Sequence, residues 1–172
     1  TGLGYCNWYD GHFSGWFGET RMYNFAMNAA QVKTLYTQMM TPTINNPIYT
    51  ISNVGLVTYY PFDIGDIDFT NKKIANWATG SAVYDATITD LSFTYLDTTN
   101  KMVGTASMSF SSEYNQYISL PSFKPTTGGL SFSFWLNATS YVAGSRIFEI
   151  GITATTANSN IIISCASQHS FY

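Results

Sequence analysis

The sequence predicts an all-β fold, an antiparallel β-sandwich of the jelly-roll kind with one short helix near residues 28–39. Three observations carry this. Hydrophobic residues make up 45% of the 172, aromatic residues 17% and charged residues 10%, with a polar remainder rich in Thr, Ser and Asn. Such a mixture suits pleated, half-buried surfaces. Short stretches of period two recur between Gly, Pro and Asn turn signals, and the period changes to a helical one at a single place.

Residues 1–15, TGLGYCNWYDGHFSG, are rich in glycine and aromatics and read as a loop-and-strand region with tight turns. Phe17, Glu19, Arg21 and Tyr23 then alternate with Gly18, Thr20, Met22 and Asn24, as in a strand. Asn28 and Gln31 form a capping-box pattern, and Val32, Leu35, Tyr36 and Met39 follow at i, i+3, i+4 and i+7, which places one apolar face on a helix of about three turns. A helix that short must lie against a sheet. Residues 41–53, TPTINNPIYTISN, carry two prolines and a pair of asparagines and read as a linker.

Strand signals resume at Gly55–Tyr60, Ser81–Thr87, Val103–Phe110 and Tyr114–Leu120. In Leu130–Asn137 the residues Leu130, Phe132, Phe134 and Leu136 share one face against Ser131, Ser133 and Trp135, the clearest alternation in the chain. Arg146–Ile152 and Asn160–Ala166 complete the set.

Charge excludes one function class. Ten acidic and seven basic residues leave a net charge of −3, and the cations are scattered apart from Lys72-Lys73. Binding nucleic acid through its phosphates needs a basic patch, which the sequence lacks. No apolar run approaches the roughly 20 residues of a membrane span. The two cysteines, Cys6 and Cys165, stand near opposite ends and make neither a disulfide framework nor a zinc site. The reading for them is buried or free thiols.

The stretch from Phe13 to Tyr36, with Glu19-Thr-Arg21-Met-Tyr23-Asn24 leading into a helix that ends in Leu35-Tyr36, resembles the closing segment of laminin G-like, concanavalin A-like jelly-roll modules. Gly55-Leu-Val-Thr-Tyr-Tyr-Pro-Phe-Asp63 resembles the opening strand of the same family. Met108-Ser-Phe110 with Tyr117-Ile-Ser-Leu120-Pro121 resembles the hairpin after it, and Leu130–Leu136 a central strand. The order implies the end of one module (1–40), a linker (41–53) and the start of a second (54–172). A single permuted sandwich is the rival, in which the strand at 17–24 docks beside 55–60. The resemblance and the low-charge, Thr- and aromatic-rich composition together imply an extracellular or virion-surface setting.

Chemistry-bearing residues are sparse. The three glutamates, Glu19, Glu113 and Glu149, stand apart, and glycoside hydrolysis needs two carboxylates flanking one bond. His12 and His169 are the only histidines, and no Gly-x-Ser-x-Gly elbow accompanies them. The expectation is therefore no enzyme. Asp63, Asp66 and Asp68 form the densest acidic cluster. Carboxylates at such spacing can supply oxygens to calcium, and Asp beside Gly after a strand is equally ordinary turn chemistry. No other cofactor is implied. Trp8, Tyr9, Trp77, Tyr95 and Tyr114 are candidate sugar-stacking residues, although aromatics are also the large core residues of small sandwiches. Asn137-Ala-Thr139 is a glycosylation sequon.

The function expected is a non-catalytic module of a larger surface or structural protein that recognises a glycan or a protein surface through loops on a rigid scaffold. A purely structural component of a virion shell or fibre, packing on neighbouring modules of the same chain or assembly, is the alternative.

Overall fold

Period-two stretches become strands, and the strands pair antiparallel into two sheets. The structure, a computed structural model, describes residues 2–3, 13–40, 55–78, 84–89, 95–114, 116–122, 128–140, 144–150, 161–167 and 170–171. The strands among these residues are β1 (Gly2–Leu3), β2 (Ser14–Tyr23), β3 (Leu56–Tyr60), β4 (Ile67–Asp68), β5 (Lys73–Ile74), β6 (Ala86–Ile88), β7 (Leu96–Asp97), β8 (Ser107–Phe110), β9 (Ile118–Ser119), β10 (Ser131–Ser140), β11 (Arg146–Ile150), β12 (Ile161–Ser167) and β13 (Ser170–Phe171). The helix α1 spans Ala29–Met40. The larger sheet runs β13-β12-β11-β1-β9-β6-β5-β4. The smaller runs β10-β2-β8-β7, with β3 also beside β2.

Every strand of the smaller sheet but β7 meets β2. Along one edge β2 pairs with β10, and along the other it pairs with β8 at Gly15–Phe17 and with β3 at Thr20–Tyr23. The segment 14–23 therefore lies in the same sheet as 56–60, although the two-module division assigns them to separate modules. The linker at 41–53 falls outside the described residues.

The two sheets share one core. Phe17, Met22, Tyr60, Phe62 and Met108 from the smaller sheet and its flank pack with Ile74, Ile88, Ile118, Ile147 and Phe148 from the larger. Phe132 on β10 meets Phe148 on β11 with ring centres 4.5 Å apart. Sandwich-like packing of this kind buries the apolar face of each sheet against the other.

Register corrects the single-face reading of β2. Phe134 pairs with Thr20 and Leu136 with Phe17, so Gly18 and Glu19 together oppose Trp135. This bulge shifts the alternation by one residue. Phe17 points inward, packing on Phe13, Phe110 and Phe134. Past the bulge Met22 is inward, and Glu19, Arg21 and Tyr23 face the other way. A Cβ on Gly18 would lie 3.0 Å from the Trp135 Cβ, a contact that a larger residue there could make only if Trp135 shifted.

The outward face of β2 is covered by α1. Asn28 Oδ1 accepts the Gln31 N–H at 3.0 Å and Gln31 Oε1 accepts the Asn28 N–H at 2.9 Å, the reciprocal cap the sequence predicts. Leu35 and Met39 are buried and pack with Tyr23, Phe25, Leu56 and Trp135. Val32 and Tyr36, expected on the same apolar face, are 53% and 55% exposed. The covered stripe is narrower: Leu35 and Met39 are the buried residues of α1, and the Tyr36 ring centre lies 6.0 Å from that of Trp135.

Two charges lie beside that helix-covered patch. Glu19 and Arg21 are 2% and 3% exposed and ion-paired, and the Arg21 guanidinium lies 4.4 Å from the centre of the Tyr59 ring. Burial alone would lower the Arg21 pKa, but Glu19 with Tyr59 and Tyr23 outweighs it and the value is raised. Burial, reinforced by Glu19, pushes the Tyr59 hydroxyl above its usual range. Removing one partner of a buried ion pair strands the other charge. Arg21→Met is expected to cost about 3–5 kcal/mol of unfolding free energy, and Arg21→Met with Glu19→Leu distinctly less, as read from urea unfolding midpoints.

Candidate functional site: a cleft between two tryptophans

Before the bulge, Trp16 on β2 turns away from the core, and across the register Asn137 on β10 is its pairing partner. Trp135 lies on the same outward face, next to Gly18. The loop that follows β7 closes the other side with Thr99, Asn100, Lys101 and Met102. These groups enclose a cleft of about 300 Å³.

Asp97 organises that loop. Its Oδ1 accepts the backbone N–H groups of Thr99 and Asn100 at 2.7 and 2.9 Å. Its Oδ2 accepts the Asn100 side-chain amide and the Trp16 indole N–H, both at 2.7 Å. The Ser107 hydroxyl donates to the Asn100 carbonyl, tying the loop to β8. Hydrogen bonds to the charged form favour ionisation, so Asn100, with help from Thr99 and Trp16, holds the Asp97 carboxyl down at about 2. The cleft thus combines two tryptophans and Asn137 from the strands with Asn100 from a loop that the Asp97 carboxylate braces from behind its lining. The Trp135 indole N–H is buried without an acceptor among the described residues.

The residues singled out from sequence distribute differently. Trp8 and Tyr9 lie outside the described residues, as do His12 and His169. Tyr95 is fully buried, its ring edge-on to Phe110 at 6.1 Å, and so presents no face for stacking. This corrects its reading as a sugar platform: the Tyr95 carbonyl accepts the Ser109 N–H of β8, which seats its ring against Phe110 in the core. Trp77 is 48% exposed, and its indole N–H donates to Asp66 Oδ1 at 3.0 Å. Tyr114 is half-buried in a turn, its N–H donating to the Ser111 carbonyl at 3.2 Å. None of these three lines the cleft, whereas Asn137 is exposed on its wall.

The carboxylates at 66 and 68 each cap a turn, and that of Asp63 ties its loop to Thr105. Asp63 accepts from the Thr105 N–H and hydroxyl. Asp66 Oδ2 accepts the Asp63 N–H at 3.1 Å, and burial pushes its pKa up. Asp68 accepts the Asn71 N–H at 2.9 Å and side-chain amide at 2.6 Å, which pulls its pKa down. Among the described residues no three His, Cys, Asp or Glu side chains converge as a metal site would require. Glu149 is held by Arg146 at 2.6 Å and Glu19 by Arg21. No helix of the described residues is long and apolar enough to cross a membrane.

Asp97 and Asn100 escaped the sequence reading, although the signal is there. Asp97-Thr-Thr-Asn100 is an Asp-x-x-Asn turn, the same device that Asp68 and Asn71 make. Only the fold reveals that one of the two turns faces a pair of tryptophans.

Because the folded-state pKa of Asp97 is depressed, its contribution to stability is complete above the ordinary carboxylate value of 3.8 and is lost as pH falls through about 2. A tryptophan fluorescence change across that window is expected in the native chain and absent in Asp97→Asn; identical acid profiles would contradict the bracing role. No protein-family model, curated protein or solved structure matches the chain.

Proposed function

We propose that this chain is a non-catalytic recognition module, a jelly-roll sandwich of the laminin G-like, concanavalin A-like kind, that binds a carbohydrate in the cleft between Trp16 and Trp135. The observation that carries the proposal is the cleft itself, lined by Trp16, Trp135 and Asn137 and by Asn100 on a loop already fixed by Asp97. Sugar C–H faces stack on aromatic rings, and sugar hydroxyls pair with amides and carboxylates. Binding sites combine an apolar wall with a few convergent polar groups in this way, and a loop braced before binding reduces the ordering cost. The pairing of β2 with β3 supports the permuted, single-sandwich organisation over the division at 41–53. Placement outside a cell or on a virion surface follows from the same reading, as does the absence of any required cofactor.

An array of immobilised oligosaccharides, followed by titration calorimetry on the unglycosylated chain, tests the proposal. Saturable binding of at least one glycan with a tryptophan fluorescence change is expected, and Asn100→Ala should weaken it by about tenfold, or ~1.4 kcal/mol. Silence across the array would favour the structural alternative.

A further inference from the structure

We propose that Asn137 is an N-glycosylation acceptor and that the first N-acetylglucosamine attached there seats on the Trp16 indole, so that the modified chain fills its own cleft. Asn137-Ala-Thr139 is the one Asn-x-Ser/Thr pattern among the 172 residues. A sequon does not say where its sugar goes; the register of β10 does. Leu136 and Ala138 pack against the core, so Asn137 between them points outward, and it is exposed. Thr139 is exposed as well, at the register shift between Ala138 and Ser140. A slip of one residue would turn the acceptor amide into the sandwich core.

The neighbour across the ladder is an indole. Asn137 pairs with Trp16, and opposed residues on one face have Cβ atoms about 4.5–5.5 Å apart. A pyranose joined to the Asn137 amide therefore begins within contact distance of the Trp16 ring. That ring is half-buried and fixed. The sheet order β10-β2-β8-β7 sets Asn137 on one flank of it, and on the other Asp97 Oδ2 accepts its N–H at 2.7 Å. Both Trp16 and Asn137 line the cleft, whose volume of about 300 Å³ is at the small end of ligand sites, as one sugar unit requires.

In the transfer, Asn137 Nδ2 forms the bond to C1 of the sugar, the amide gives up one proton, and the lipid pyrophosphate that carried the oligosaccharide leaves. The attachment needs a secretory setting, as the surface placement above also does. A sugar held at the cleft acts at an effective concentration that any free glycan must exceed, so the modified chain is closed to glycans on other molecules. That closure rests on the recognition reading; the attachment and the seating do not.

Secretion of this chain from a eukaryotic cell, alongside Thr139→Ala, tests the proposal. Thr139 lies outside the cleft lining, so its replacement removes the sequon and leaves the wall intact. Intact mass is expected to show one N-glycan on this chain and none on the variant. After endoglycosidase trimming to a single N-acetylglucosamine, the acetyl methyl resonance should be moved upfield by the Trp16 ring current, and capture of a glycan selected on the array should be weaker than by Thr139→Ala by about tenfold or more. An unmodified chain, a glycosylated chain that fails to fold while Thr139→Ala folds, or an acetyl methyl at its free-solution position would overturn the attachment and seating. Equal capture by the trimmed chain and Thr139→Ala would overturn the closure. An upfield acetyl methyl with no capture by Thr139→Ala would uphold the seated sugar and sink the recognition reading instead.

Discussion

Two residues of β2 standing opposite one residue of β10 set the architecture of the smaller sheet. Because Gly18 and Glu19 share the space across from Trp135, the side chains of β2 change faces at that point. Phe13 and Phe17 enter the core before the bulge, and Thr20 and Met22 enter it after. Glu19, Arg21 and Tyr23 are thereby delivered to the outward face, where α1 and Tyr59 meet them. A strand without the bulge would drive either the ion pair into the sandwich core or Phe17 into solvent.

The same irregularity divides the outward face in two. On the Tyr23 side, Leu35 and Met39 of α1 cover the sheet; on the Trp16 side no helix of the described residues covers it and the cleft opens. Trp135 belongs to both regions, packing near Tyr36 while forming the cleft wall. It stands opposite Gly18 at the bulge, so one backbone feature adjoins both the seat of the helix and one side of the proposed binding site.

Rigidity in the cleft comes from short polar turns rather than from apolar packing. Asp97 gathers four donors within 2.7–2.9 Å, one of them from the Trp16 ring. A carboxylate so satisfied stays ionised and holds both the loop and the indole orientation. The acidic cluster at 63–68 spends its oxygens in the same manner, on Thr105, Trp77, Asn71 and the Asp63 N–H.

By itself the sequence determined the class of fold, the capped helix and the strongest strand, because capping and period-two alternation act over a few residues. The Asn28–Gln31 box and the inward row of β10 are local properties and emerge as the pattern predicts. Tertiary structure alone decided the rest. A bulge is a relation between strands more than a hundred residues apart, so neither the reversal of faces at Gly18 nor the burial of Tyr95 has a local signal. The cleft likewise joins Trp16, Trp135 and the loop after β7 that Asp97 braces, and only the register of β2 against β10 and β8 brings them together.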